Sequence, residues 1–328
     1  MLKGAFSSII AIPKNNINMT KKYLGEGVLL FNTVIWGATF VIIKMALNDI
    51  SPMMFVASRF TIASLLLFPF MIKTLKQADK GTIIEGAVLG LMFFGGFATQ
   101  TIGLNFTSAT KSGFITGTFV LFTPVFQLIF ERKKPSTGNL MGVGVVILGL
   151  IILSSNGTSL LDIFEEIGQG FNIGDFFTLL CAAFFAMYLV YLDITSRKYD
   201  YRPLVFMQVS VTGLCGIIFS IILSYSGFEP FRFVINSNVI FSLLYTAILA
   251  TIVTTTLQTK YQKYITPTKA GIILSFEPIF SMVLAFILLS ERISLFGFIG
   301  CILIFTGLLV TELYDKLKFN YERKSVEG

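Results

Sequence analysis

Residues 265–311 read ITPTKAGIILSFEPIFSMVLAFILLSERISLFGFIGCILIFTGLLVT, and most of that stretch is written a first time earlier in the chain. Thr268-Lys269-Ala270-Gly271 echoes Thr110-Lys111-Ser112-Gly113 at a displacement of 158 residues, and Gln258-Thr259 echoes Gln100-Thr101 at the same displacement. Glu291-Arg292 echoes Glu131-Arg132 at 160, after which Gly300 and Gly307-Leu308 return to 158 against Gly142 and Gly149-Leu150. A displacement near half of 328 residues means two similar halves. Repeats of about 20–50 residues would build a solenoid. One large duplication in an apolar chain is instead the plan of many transporters.

The composition sets the class. With 54% hydrophobic and 13% charged residues, the chain carries about half the charged share of a soluble domain, too little to cover a water-facing surface. The mean hydropathy of +0.80 points the same way, to a polytopic membrane protein. The net charge of +7 is no nucleic-acid footprint, because its Lys and Arg residues fall in short clusters between apolar runs.

No histidine occurs, which excludes His-dependent zinc sites, Ser-His-Asp triads and Cys-His pairs. Cys181, Cys215 and Cys301 stand alone in apolar runs, with no disulfide or metal spacing. Neither a phosphate loop nor a dinucleotide fingerprint is present. The expectation is no enzyme, no cofactor and no metal.

Apolar runs long enough to span, about 20 residues each, number ten: 27–47, 52–72, 82–104, 109–130, 138–155, 173–193, 203–225, 237–258, 268–290 and 294–313. Basic residues crowd every second connection: Lys21 and Lys22, Lys73 and Lys76, Arg132 to Lys134, Arg197 and Lys198, Lys260 and Lys263, and the tail from Lys316. The alternate loops are nearly free of them, and 154–172 is acidic, so both termini are expected in the cytoplasm. Five helices per half then insert the two halves upside down relative to each other. The expected layout is a cytoplasmic segment 1–22, a first repeat 23–155, an extracellular loop 156–172, a second repeat 173–313 and a tail 314–328. The apolar run before Pro13 is too short to span and lacks a signal-peptide cleavage site, and Met19 is an alternative start.

From about Leu24 to Leu313 these features resemble an EamA-type member of the drug/metabolite transporter superfamily. The resemblance rests on Trp36-Gly37, Thr107-Ser108-Ala109, Gly117-Thr118-Phe119, Glu277-Pro278 and Ser290-Glu291-Arg292 in their order, within five plus five inverted helices. It implies a plasma-membrane carrier of small metabolites, often amino acids or their relatives and frequently exported. It also implies a cavity between helices 1–4 and 6–9, with helices 5 and 10 peripheral. The 154–172 loop departs from the family in being longer and more acidic.

Charge inside a bilayer is costly, so each instance is a functional candidate. Glu277 lies about 12 Å along its helix from Lys269, near the midplane, and Pro278 beside it frees backbone carbonyls and lets the helix bend. A carboxylate there could receive an amine or a proton, or fix packing by pairing with a basic neighbour. Arg59 could clamp a substrate carboxylate, neutralise Glu277, or snorkel outward, and Lys44 reads as a snorkelling residue. Lys111 and Lys269 start symmetry-related helices at opposite mouths, where they would attract anions, gate, or anchor helix ends. Glu131-Arg132 and Glu291-Arg292 read as local ion pairs. Asn32, Trp36, Gln100, Gln127, Tyr188 and Gln258 are the neutral polar groups deep in the expected cavity helices, with Asn32 and Trp36 on one face. Pro278 and Pro124 are the expected helix breaks, and the 35 Phe residues read as lipid contacts and core filling. Gly86/Gly90, Gly113/Gly117 and Gly138/Gly142 permit close helix packing, and the sequons at Asn18, Asn105 and Asn156 read as chance.

The reading is a secondary carrier working by alternating access as monomer or homodimer in the plasma membrane, an exporter of amino-acid-like or amphipathic compounds. A lipid or drug flippase of the same fold and a membrane-embedded enzyme are the alternatives.

Overall fold

A computed structural model describes residues 14–132, 134, 137–154, 171–265, 267–274, 276–291, 294–307, 309, 310 and 314. The reading of the start before Pro13, most of the 156–172 loop and the tail lie outside the described residues. The described chain is helical: α1 (Lys14–Ala46), α2 (Pro52–Lys76), α3 (Lys80–Phe106), α4 (Ala109–Gly117), α5 (Phe119–Glu131), α6 (Thr137–Ser154), α7 (Ile173–Ser196) and α8 (Tyr201–Tyr225). It continues with α9 (Ser237–Leu244), a π-helix (Tyr245–Val253), α10 (Thr254–Tyr261), α11 (Pro267–Leu274), α12 (Glu277–Leu289) and α13 (Leu295–Gly307).

Local chemistry sets many of these starts. Pro52 opens α2 where a missing N–H costs nothing. Asp79, Ser108 and Asn236 accept from the backbone N–H groups of Thr82, Lys111 and Val239 at the starts of α3, α4 and α9. Asn172 and Asp175 form a reciprocal capping box on α7.

Among the described residues, seven helices are long and apolar enough to cross a membrane: Tyr23–Ala46, Pro52–Lys76, Lys80–Phe106, Ala109–Glu131, Ile173–Ser196, Tyr201–Tyr225 and Ser237–Tyr264. Three shorter apolar helices, Leu140–Gly149, Glu277–Leu289 and Leu295–Gly307, coincide with the fifth, ninth and tenth expected spans. Large apolar side chains stand exposed along many of them, such as Leu65, Phe70, Leu91, Ile129, Leu148, Ile222 and Phe286. Water would not tolerate so continuous an apolar surface, whereas lipid matches it.

The duplication is written into the backbone. Among the described residues, the non-glycine positions with positive φ are Arg132 (58°) and Ser290 (54°), 158 residues apart, and they end α5 and α12. Gly149 lies against Ile304 and the Gly300 carbonyl, and Gly307 lies against Val146 and the Gly142 carbonyl. That is one contact repeated with every residue displaced by 158. The two-residue adjustment expected around Glu131-Arg132 is therefore not needed, since Arg132 corresponds to Ser290. The two Glu-Arg pairs are a sequence coincidence: Glu131 is the last residue of α5, while Glu291 lies two residues beyond α12.

Helix pairing follows the same symmetry, with α1 packing on α12 as α7 packs on α4 and α5, and α2 crossing α8 on the axis. Three apolar clusters result. One, around Phe60, Phe93, Phe97 and Val209, joins α2, α3 and α8. A second, around Leu29, Phe114, Ala186 and Ile304, joins α1, α4, α7 and α13. The third, around Phe40, Ile43, Phe55 and Ala285, joins α1, α2 and α12.

Candidate substrate site

Two broken helices frame the centre. The α4–α5 rod breaks at Thr118 and the α11–α12 rod at Phe276, again 158 residues apart. Pro278 lies in the first turn of α12, directly after its break. Pro124 does not break its helix: it sits inside α5, six residues beyond Thr118. The physical reason is packing. A Cβ on Gly117 would lie 2.8 Å from Pro278 Cγ and one on Gly113 2.8 Å from Ser281 Oγ, so α4 and the start of α12 cross in direct contact at the breaks. A Cβ on Gly37 would lie 2.6 Å from Phe280 Cβ and 3.0 Å from the Glu277 carbonyl oxygen, which brings α1 to the same place.

At that level lies a cavity lined by Trp36, Thr39, Phe93, Phe97, Gln100, Thr116, Phe119, Phe185, Tyr188, Leu189, Gln258, Leu274 and Glu277. It leaves water centres about 60 Å³, room for a few waters against the ~10–15 Å³ that one requires. Glu277 is half-buried, and its carboxylate forms no hydrogen bond or ion pair with any described residue. Tyr188 donates to Gln208 Oε1 (3.0 Å), and Gln208 Nε2 donates to Thr259 Oγ1 (3.1 Å), which holds the phenol rigidly in the wall.

The π-helix organises the neighbouring wall. Such wide turns are rare and concentrate at functional sites. Its Ala250 carbonyl accepts from both Arg59 Nη2 (3.0 Å) and Trp36 Nε1 (3.2 Å), while Thr251 Oγ1 accepts from Arg59 Nε (2.8 Å). Trp36 Nε1 also reaches Thr254 Oγ1 (3.0 Å), and Asn32 Nδ2 donates to the Thr254 carbonyl (3.0 Å). Arg59 is 1% exposed, with its guanidinium 4.4 Å from the Phe97 ring centroid and 5.0 Å from that of Phe60. Stacking and two acceptors compensate a charge that has no described carboxylate beside it.

A second polar cluster closes one end of the bundle. Lys111 Nζ pairs with Asp175 Oδ2 (2.8 Å), Thr107 Oγ1 donates to Asp175 Oδ1 (2.5 Å), and Asp175 is fully buried. Glu291 accepts from the N–H groups of Ala109 (2.9 Å) and Thr110 (3.1 Å), so it caps the positive end of α4. Lys44 Nζ donates to the carbonyls of Leu104 (2.6 Å) and Thr107 (2.9 Å), at the negative end of α3.

Of the residues singled out in the sequence, Trp36, Gln100, Tyr188, Gln258 and Glu277 line one cavity. Asn32 and Arg59 sit behind it: Asn32 is bound to α10, and Arg59 lies behind the Phe97 ring and is not paired with Glu277. Arg59 and Lys44 do not snorkel, because backbone carbonyls within the bundle satisfy both. Lys111 stands in an ion pair, and the Lys269 side chain lies outside the described residues. Glu291 caps α4, and Arg292 lies outside the described residues. Gln127 is not part of the lining. Sequence reasoning missed Asp175, Thr116, Thr254 and the π-helix. It also assigned to lipid and core four Phe residues, at 93, 97, 119 and 185, that line the cavity.

Comparison with known proteins adds a family. The profile described as "EamA-like transporter family" matches residues 23–155 and again 172–313. An "Uncharacterized transporter" of Archaeoglobus fulgidus is 32% identical over 280 residues, 85% of this chain and 83% of the relative. A "Probable amino-acid metabolite efflux pump" of Escherichia coli is 27% identical over 296 residues, 87% of this chain and 94% of the relative. A solved crystal structure at 15% identity shares the fold with a TM-score of 0.62, covering 88% of this chain and 96% of its own.

Proposed function

The chain belongs to the EamA-like transporter family and is a multi-pass membrane protein, and from that premise we propose that it is a secondary carrier exporting small amino-acid-like metabolites across the plasma membrane. The three shorter apolar helices complete ten crossings, with both termini cytoplasmic, the Asp175 end of the bundle outside and the Gln262 end inside. One observation carries the proposal: Glu277 presents a carboxylate with no described protein partner to a cavity otherwise walled by aromatic rings, two leucines, two amides and two threonines. Such a site takes a compound with an ammonium group and an apolar body. Arg59, behind Phe97, adds positive potential to the wall and suits the carboxylate end of such a compound.

The cavity is far smaller than the ~300–1,000 Å³ of ordinary small-molecule pockets. Substrate entry therefore needs the halves to rock apart, as alternating access requires. The name of the Escherichia coli relative supports efflux and amino-acid chemistry.

A thermal-shift screen of purified protein against amino acids, nucleosides, sugars and amphipathic drugs identifies the ligand, because binding to the folded state alone raises apparent stability. The Glu277→Gln variant is expected to remain folded, to lose the shift given by amines and to lose their transport in proteoliposomes. Unchanged amine transport in that variant would refute the site.

A further inference from the structure

α1 turns one face toward α10. Gly25, Leu29, Asn32 and Trp36 lie within an arc of roughly 60° at about 100° per residue, and Thr254, Thr255 and Gln258 of the partner, with Gln262 in the 3₁₀ turn that follows it, lie within roughly 100°. The contact is direct at both ends of this stretch. Trp36 and Asn32 bond Thr254 near the cavity, and at the other end a Cβ on Gly25 would lie 2.9 Å from Ile265 Cδ1 and 3.6 Å from Tyr261 Cβ. Leu29, fully buried, packs in one cluster with Ile265 between those levels.

Along this seam Asn32 Oδ1, Thr255 Oγ1, Gln258 Oε1 and Gln262 Oε1 are buried oxygens without a hydrogen-bond partner. Their residues are between 0% and 3% exposed. Native interiors carry few such atoms, because each one left dry keeps its full desolvation cost. Four on one face of a helix pair, beginning at a cavity-lining glutamine, are therefore not packing accidents. The repeat mate of this seam is different in kind. Displaced by 158 residues, Thr255, Gln258 and Gln262 correspond to Phe97, Gln100 and Leu104 of α3, where Gly95, Gly96 and Gly103 admit Phe184, Phe185 and Thr178 of α7 to close contact. One interface is apolar and glycine-packed, and the other is lined with unused acceptors.

We propose that the α1–α10 seam is the hydrated cytoplasmic half of the transport path, a file of acceptor oxygens for water and for hydrogen-bond donors such as the substrate's ammonium group, gated at Gly25, Leu29 and Ile265. This deepens the carrier reading above and rests on it for the word transport, but the hydration of the seam is measurable without any substrate.

The test replaces Cys181, Cys215 and Cys301 by Ala and introduces Thr255→Cys, Gln258→Cys or Gln262→Cys, with Leu249→Cys on the exposed apolar surface as the control. A charged, membrane-impermeant methanethiosulfonate is applied from the cytoplasmic side of inside-out vesicles. The expected result is labelling of the seam cysteines at least about tenfold faster than the control, since each unit by which dehydration raises a thiol pKa removes tenfold of its thiolate. Seam rates equal to the control, or labelling only from the opposite side, overturn the proposal. Where a substitution prevents folding, hydroxyl-radical footprinting of the unsubstituted chain reads the same property. A hydrated seam oxidises the fully buried Leu29, and an unoxidised Leu29 overturns the proposal. If seam labelling succeeds while Glu277→Gln transports normally, the path stands and the substrate site falls.

Discussion

Replacing Asp175 by Ala removes the anion at the centre of the polar cluster that closes one end of the bundle. Its carboxylate is fully buried and accepts from Lys111 Nζ at 2.8 Å, Thr107 Oγ1 at 2.5 Å and the Asn172 N–H at 3.1 Å. Truncation removes the acceptor these three donors share. Breaking a buried pair costs ~3–5 kcal/mol, and the Lys111 side chain is 21% exposed, so its ammonium regains some water and the low end applies. The expected loss is about 3 kcal/mol, or roughly 6 °C in Tm at the ~2 °C per kcal/mol of a large chain. Asp175→Asn keeps an acceptor for Thr107 and should lose about half as much. The deciding assay is a double-mutant cycle with Lys111→Met, read by thermal unfolding in detergent. Two charges near 4 Å at an effective dielectric of 20 attract by ~4 kcal/mol before desolvation, so the coupling should be about 2 kcal/mol. A coupling below about 0.5 kcal/mol, the value of an exposed pair, would refute the assignment of this cluster as a buried latch.

Gly149→Ala and Gly307→Ala each place a methyl 2.8 Å from Ile304 N and 2.9 Å from the Gly142 carbonyl oxygen respectively, so each should cost ~1–3 kcal/mol by forcing α6 and α13 apart. Because one separation relieves both clashes, the double variant should lose clearly less than the sum, and additive losses in denaturant unfolding would contradict the shared contact. Tyr188→Phe should destabilise by ~1–2 kcal/mol, since it leaves Gln208 Oε1 without its donor at 0% exposure of that residue; an unchanged Tm would count against the Tyr188–Gln208–Thr259 chain. Glu229, between α8 and α9, has its carboxyl pushed above the usual range by burial, partly offset by the N–H of Met53. Between the ordinary glutamate value and the raised one, the folded state holds more protons than the unfolded, so stability should fall as pH rises through that window. Glu229→Gln should flatten this slope, and an identical pH profile of Tm would show that the carboxyl does not titrate with folding.

What could be read from the sequence follows from contrast. Trp36, Gln100, Tyr188, Gln258 and Glu277 stand out because a polar or amphipathic group in an apolar helix needs a reason, and all five line one cavity. The duplication was visible because glycines at helix contacts cannot drift without opening the contact. By the same logic the Phe residues of the cavity wall were invisible: among 35 of the same type, only three-dimensional packing separates a wall from a lipid face. Asp175 offers no such contrast, being an acid beside a helix start, and nothing local says that Lys111 of α4 and Thr107 at the end of α3 meet it there. The π-helix has no propensity signature, and the two donors that share its Ala250 carbonyl, Arg59 and Trp36, come from distant parts of the chain. Proline misled at Pro124 because the break obeys the crossing of α4 and α12, not the missing N–H.

The unlike α3–α7 and α1–α10 interfaces are built from corresponding parts of two halves that share a fold. Under the alternating access proposed above, each half contributes a different kind of interface, tight in α3–α7 and polar in α1–α10. The two arrangements cannot be exchanged literally, because Val253, Thr254 and Tyr261 stand where α3 has Gly95, Gly96 and Gly103, so α10 offers α1 no glycine bed to close upon. The asymmetry is thus written into the sequence: parting α1 from α10 breaks hydrogen bonds that water can replace, while parting α3 from α7 opens close apolar packing that water cannot.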